Sequence, residues 1–102
     1  MRSSVRETHM VKLVRVMKSP RTGKKWRAVF DDDTHTDFGD SSMKDYTQHH
    51  DMERRSNYRS RHRRDLATAD PRRAGYLSYY ILWGDNTNIN DNIADYRRRF
   101  NM

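Results

Sequence analysis

The first part of the chain alternates between apolar and polar positions, as β-strands do. In MVKLVRVM, which starts at residue 10, alternation turns Val11, Leu13 and Arg15 to one side and the residues between them to the other. WRAVF at 26–30 alternates in the same way, after a turn rich in proline, glycine and lysine. After an acidic turn, a third strand is expected to end at Gly39. We therefore predict an antiparallel meander of three short strands between residues 10 and 39.

The hydrophobic period changes in the second half of the chain, where three helices are expected. Asp51 is a candidate N-cap for a helix over about 52–66. Asp70-Pro71 is a second start signal, for a helix over about 71–83 that is apolar nearly all round and should form the buried centre of the domain. Asn88 can cap a last helix over about 88–100, which carries one continuous apolar stripe.

These patterns predict an α+β fold, in which a small antiparallel three-stranded sheet is followed by about three helices. Residues 10–102 would form a single small domain, and residues 1–9 a basic N-terminal tail. Aromatic and aliphatic positions that recur on the predicted inner faces, together with one histidine, give the expected core: Trp26, Phe30, Phe38, Tyr58, His62, Leu77, Ile81, Trp83, Ile89, Ile93, Tyr96 and Phe100.

Charge is segregated along the chain. The net charge is +7, yet residues 31–53 hold eight acidic residues against one lysine, and residues 54–73 hold eight arginines against two aspartates. Only 33% of the residues are hydrophobic, so the core must be thin. There is no cysteine, which excludes disulfides and thiolate metal sites. No apolar run approaches the roughly 18 residues of a membrane span, and no membrane partner is expected.

The densest arginine region coincides with the first predicted helix. Along it, Arg55, Arg59 and Arg63 would share one edge, whereas Tyr58, His62 and Leu66 would face the helix at 71–83. Three interpretations remain open: a solvated face, a surface for an acidic protein or a second copy, and a nucleic-acid surface. The candidate residues for binding a partner or phosphate are Arg54, Arg55, Arg59, Arg61, Arg63, Arg64, Lys24 and Lys25.

Catalytic and metal-binding patterns are weak. His49, His50 and Asp51, together with His62, could in principle assemble a metal site, but adjacent histidines point in different directions and a packed His62 is favoured. The run Asp31–Asp33 lacks the glycine and glutamate of a calcium loop and is interpreted as a solvated turn. We expect no cofactor, no small-molecule substrate and no enzymatic activity.

The order of motifs resembles a family of short basic proteins encoded by large double-stranded DNA viruses of eukaryotes, such as phycodnaviruses and marseilleviruses. The resemblance spans residues 23–100 and follows GKKWRAVF, FG, DYTQHHDMERRSNYRSRHRRD, AGYLSYYILW and DYRRRF. Its most specific positions are Trp26, Phe38-Gly39, Tyr46-Thr47, Tyr58, Arg61-His62, Gly75, Trp83 and Tyr96. The acidic turn DDDTHTD and the connector GDNTNINDN depart from the pattern. The resemblance implies a viral origin and a virion component, and no catalytic residue.

The leading hypothesis is therefore a non-enzymatic virion structural protein, a minor capsid or internal component. Its arginine-rich helix would join charged neighbours such as capsid or other virion proteins. The protein would be located in the virion, and in the host cytoplasm or nucleus during assembly. The alternative is a DNA- or RNA-binding protein whose arginines and lysines contact phosphates without reading base sequence.

Overall fold

The structure, a computed structural model, describes residues 11–102, so the predicted tail at residues 1–9 lies outside the described residues. Three strands form an antiparallel sheet in chain order: β1 Leu13–Lys18, β2 Lys24–Phe30 and β3 His35–Asp40. Helices follow, and the predicted α+β class is confirmed.

A β-bulge changes which side chains of β1 face the core. Leu13 pairs with Phe30 whereas Arg15 pairs with Val29, so Val14 is an extra residue in the ladder. Beyond the bulge, Val16 pairs with Ala28 and packs against the core, while Arg15 is exposed. Strict alternation of Val11, Leu13 and Arg15 was therefore wrong, because a bulge shifts the pleat by one residue.

A short helix that sequence reasoning missed, α1 Tyr46–His49, links the sheet to the arginine region. Asp45 accepts a hydrogen bond from the backbone N–H of Thr47, and the side chain of Gln48 accepts one from the backbone N–H of Asp45. This capping box satisfies the N–H groups at the start of the helix. His50 then adopts a left-handed conformation that ends α1 one residue before the next N-cap.

The next helix, α2, spans Met52–His62 and begins at the predicted cap, where the Asp51 carboxylate accepts from the N–H groups of Glu53 and Arg54. It is shorter than the predicted 52–66, because residues Arg63–Thr68 tighten into a 3₁₀ helix that closes with Ala69 in a left-handed conformation.

The central helix also begins later than expected. Helix α3 spans Ala74–Leu77 and continues as a π-helical turn over Ser78–Leu82, so the predicted start at residue 71 is wrong. The reason is local: the Asp70 carboxylate accepts from the N–H of Arg72, and the Asp70 carbonyl accepts from the N–H of Arg73. Asp70 and Pro71 thus build a turn that precedes the helix.

Helix α4, Ile89–Phe100, matches the predicted 88–100 closely, with Asn88 as its N-cap. Its buried Asn92 was not anticipated. The Asn92 amide donates to the carbonyls of Ile81 and Asn86 at 2.8 Å each, and its oxygen accepts from the N–H of Asn86. All polar groups of this side chain thereby find partners, which is the condition for burying an asparagine.

The core lies between one face of the sheet and the helices after it. Phe30, Phe38, Leu77, Ile81 and Tyr96 are at most 2% exposed. The other predicted apolar core residues lie in this cluster or pack against it: Trp26, Tyr58, Trp83, Ile89, Ile93 and Phe100. The side chain of His62 is 40% exposed and lies at the edge of the cluster.

Candidate anion-binding surface

Helix α2 is attached to the rest of the fold by a stack of aromatic rings. The ring of Tyr58 lies parallel to that of Trp83, with centroids 4.2 Å apart and planes 6° apart, and His62 stacks on the other face of Tyr58 at 4.1 Å. Burial raises the pKa of Tyr58 to about 12. Nδ1 of His62 also lies 3.0 Å from the Asp65 carboxylate.

Two of the predicted binding arginines are instead part of this attachment. Arg55 donates from Nε to the carbonyl of Gly84 at 2.6 Å, and it pairs with Asp85 at 2.7 Å. Arg59 donates to the carbonyl of Trp83 at 2.7 Å and lies over the ring of Tyr79, 4.1 Å from the centroid. The carbonyls at the end of a helix lack intrahelical partners, and guanidinium groups satisfy them here. Both arginines are therefore occupied within the chain.

Lys25, another predicted phosphate ligand, is also occupied. Its Nζ lies 2.6 Å from the Asp45 carboxylate and 2.6 Å from the side-chain oxygen of Gln48. It thereby ties β2 to the capping box of α1. The side chain of Asp45 is 4% exposed and that of Lys25 is 13% exposed, so water screens this pair only partly.

The remaining predicted residues form no ion pair with the described part of the chain, although the charge of Lys24 acts on Asp40. The side chains of Arg54, Arg61, Arg63 and Arg64 are exposed, and Lys24 is partly exposed. Within residues 11–102, none of these five side chains forms a hydrogen bond or an ion pair. Arg54 and Arg61, seven residues apart, share one edge of α2.

The carboxylates of the acidic segment 31–53, in contrast, are used mainly within the chain. Asp37 accepts from both Nε and a terminal nitrogen of Arg27 at 2.9 and 3.1 Å, and these hydrogen bonds lower the pKa of Asp37 to about 2. Asp32 pairs with Arg72 at 2.9 Å. Other carboxylates serve turns, caps and ladders, as follows: Asp31 with the Lys12 N–H, Asp40 with Ser42, Asp45 with Lys25 and Thr47, and Asp51 with the start of α2.

Two adjoining clefts are lined in part by Lys24 and Arg61, whereas Arg54, Arg63 and Arg64 do not line either of them. The helix cleft, about 200 Å³, is lined by residues that include Met43, Lys44, Tyr58, Arg61 and Trp83. The sheet cleft, about 430 Å³, is lined by residues that include Lys18, Lys24, Trp26, Ser41 and Gln48. Lys25 and Asp45 line both clefts, and their ion pair forms the boundary.

Charge in the two clefts is predominantly positive. Five cationic side chains, Lys18, Lys24, Lys25, Lys44 and Arg61, line them, against the carboxylates of Asp40 and Asp45. Asp40 accepts from the hydroxyl and the N–H of Ser42, which lowers its pKa, so it is ionised at neutral pH. The clefts therefore carry a net charge of +3 and can bind an anion whose charges are spaced along them.

The histidines of the described part of the chain have separate surroundings. Nδ1 of His49 accepts from the N–H of Asp51 at 2.9 Å, and its ring packs 5.3 Å from Trp83. Burial, followed by the charge of Arg54, lowers the pKa of His49. His62 lies on the other side of Tyr58 and pairs with Asp65. Within residues 11–102, no group of three or more potential metal ligands comes together.

Comparison with known proteins gives one match. Residues 14–62 are similar to a family of unknown function (DUF5754). The matched segment runs from within β1 to the end of α2, and it contains the five cations of the clefts. No curated protein and no solved structure matches the chain. The helices between residues 11 and 102 include none that is long and apolar enough to cross a membrane.

Proposed function

We propose that this protein binds nucleic acid through its phosphates and does not read base sequence. The observation that carries the proposal is an imbalance of free charge. Asp32, Asp37 and Asp45 of segment 31–53 are ion-paired within the chain, whereas Arg54, Arg61, Arg63 and Arg64 are exposed and form no hydrogen bond or ion pair with the described residues. The free-energy cost of desolvating an exposed guanidinium group is small, and the group can form bidentate hydrogen bonds with phosphate oxygens. Each phosphate that it neutralises also releases condensed counterions.

Docking between charged neighbours needs acidic segment 31–53 to be available to a basic partner. Part of that charge is taken up within the chain, because Asp37 and Asp45 are held by Arg27 and Lys25, with their side chains 5% and 4% exposed. The six other acidic residues of the segment remain exposed. A polyanion is therefore proposed for the surface around Arg54, Arg61, Arg63 and Arg64, not for the surface as a whole.

The proposal is tested by fluorescence anisotropy with a labelled duplex of random sequence. If about five cations each contact a phosphate, the affinity should fall roughly 500-fold between 50 and 200 mM salt. A variant that combines Arg54→Gln, Arg61→Gln and Arg64→Gln should bind more weakly and show a shallower salt dependence. The matched control is Arg98→Gln, because Arg98 is exposed but pairs with Asp95 on α4. The proposal would be refuted if neither the duplex nor a single strand bound at 50 mM salt, or if Arg98→Gln lost as much affinity as each arginine of the triple variant.

A virion structural role is the second candidate, and one observation favours a protein–protein contact. Strand β1 lies at the edge of the sheet and exposes Val14 by 49% and Met17 by 37%. An edge strand with exposed apolar side chains can pair with a strand of another chain. This role requires a fixed copy number in purified particles, measured by quantitative mass spectrometry, and cross-links from β1 to a capsid protein. Abundance in infected cells with absence from particles would exclude it.

A further inference from the structure

Trp26 differs in its surroundings from the other tryptophan. It lies in β2 between Lys18 of β1 and Phe38 of β3, is partly exposed and lines the sheet cleft. Within the described part of the chain, its ring contacts no other aromatic ring or cation, and its indole N–H has no hydrogen-bond partner. Trp83, in contrast, is 6% exposed and stacks on Tyr58. A partly exposed indole in a concave site offers a surface on which another flat ring can stack.

The surroundings of Trp26 combine this surface with positive charge and hydrogen-bonding groups. Lys18 and Lys24 line the same cleft, as do the polar side chains of Ser41 and Gln48. Across the boundary pair, the helix cleft continues the site with Lys44 and Arg61 around the apolar side chain of Met43, which is 48% exposed. Both clefts thus combine cationic side chains with apolar surface.

We infer that the two clefts form a binding site for single-stranded nucleic acid, with one base stacked on Trp26 and the backbone phosphates following Lys18, Lys24, Lys44 and Arg61. The inference rests on the proposed function and names its substrate class. Grooves that bind single strands combine a cationic path for the backbone with aromatic side chains for the bases. In a duplex each base is stacked between its neighbours and cannot reach Trp26. An acidic peptide would satisfy the cations but would supply no flat ring.

The test compares single strands with a duplex at 50 mM salt. Fluorescence anisotropy is measured with labelled dT12, rU12 and a 12-base-pair duplex. We expect either single strand to bind more tightly than the duplex and to quench tryptophan fluorescence; the ratio of dT12 to rU12 affinity shows which of these two strands the site prefers. Trp26→Leu should weaken single-strand binding by at least about fivefold, the loss of one stacked base, and leave duplex binding unchanged.

Two further variants separate stacking from folding. Trp26→Phe keeps an aromatic ring and should restore most of the lost affinity. Because Trp26 also packs against the core, the unchanged duplex binding of Trp26→Leu shows that its loss of single-strand binding does not come from unfolding. Lys24→Gln does not touch the core and should weaken single-strand binding by itself. Duplex binding that is tighter than single-strand binding, unchanged affinity in Trp26→Leu, or equal binding of a polyglutamate peptide would overturn the inference alone. Absence of binding to all nucleic acids would overturn the proposed function as well.

Discussion

Replacing Arg59 and Arg61 separately distinguishes arginines that hold the fold from arginines that remain available. Arg59→Ala removes a charge-assisted hydrogen bond to the carbonyl of Trp83, at 2.7 Å, and a cation–π contact with Tyr79. Such a hydrogen bond contributes about 1.5–3 kcal/mol, and the cation–π contact contributes roughly 1 kcal/mol at a partly buried site. We therefore expect the free energy of unfolding to fall by about 3 kcal/mol. Arg61→Ala removes no hydrogen bond or ion pair among the described residues and should change the free energy of unfolding by less than about 0.5 kcal/mol.

The assay is urea denaturation at pH 7, followed by circular dichroism, with Arg59→Lys as the matched variant. Lysine keeps the charge but lacks the planar guanidinium that donates to the carbonyl while lying over the ring, so it should recover less than half of the loss. Phosphate binding should show the reverse order, with Arg61→Ala weaker than wild type and Arg59→Ala unchanged wherever it is folded. Equal destabilisation by Arg59→Ala and Arg61→Ala would refute this division of the arginines.

Three further predictions concern stability and titration. Asp37→Asn should lower the free energy of unfolding at pH 7 by about 2 kcal/mol, because the pKa of Asp37 near 2 reflects its hydrogen bonds to Arg27. The stability that the ionised Asp37 contributes is fully present above the pKa of the unfolded chain, near 4. About half of it should be lost by pH 3 and most of it by pH 2. Gly84→Ala should cost about 3 kcal/mol, since its Cβ would strike the backbone of the preceding turn, whereas Gly23→Ala faces open space and should cost about 1 kcal/mol for its positive φ. In spectrophotometric titration, Tyr58 should ionise near pH 12, so wild type and Tyr58→Phe should differ only above about pH 11.

Each of these predictions has a result that would contradict it. For Asp37 the control is Asp33→Asn, because Asp33 already has a positive φ that asparagine tolerates. If the difference in free energy of unfolding between wild type and Asp37→Asn stays constant from pH 7 to pH 2, the ionised carboxylate is not the source of that difference. Equal losses at the two glycines would show that the close packing of Gly84 is unimportant. A difference at Tyr58 that already appears near pH 10 would show that its hydroxyl is not buried.

The periodicity of apolar residues predicted the fold class because it reflects the face that each element buries. It predicted α4 nearly residue by residue, since Asn88 and the apolar stripe act within one helix. It could not place the bulge at Val14, because the pairing of β1 with β2 depends on contacts across strands. Helix α1 was missed although Asp45 and Gln48 carry a capping-box pattern three residues apart, a signal that a search for D-x-x-Q would have found.

The binding site was harder to predict than the core, because an arginine has the same charge whether it contacts solvent or a carbonyl. Arg55 lies three residues before the inward-facing Tyr58 and Arg59 lies directly after it, so helical geometry puts both beside the buried face of α2, and this closeness is a usable signal of their structural role. The prediction of the binding residues treats every arginine of the segment as equivalent and does not use this signal. The clefts are built from distant parts of the chain, because Trp26 and Arg61 line adjoining clefts only when the sheet and α2 are packed in the fold.

The segment similar to the family of unknown function holds the charge of the clefts but does not hold the whole fold. Residues 14–62 supply Lys18, Lys24, Lys25, Lys44 and Arg61, and the buried sheet residues Phe30 and Phe38. They do not supply the residues that cover the sheet, which come from α3, its π-helical extension and α4. The carbonyls that hold α2 also lie beyond the segment, at residues 83 and 84. Because Ser78, Leu82 and Trp83 line the helix cleft, that cleft forms only when the C-terminal helices pack against the matched segment.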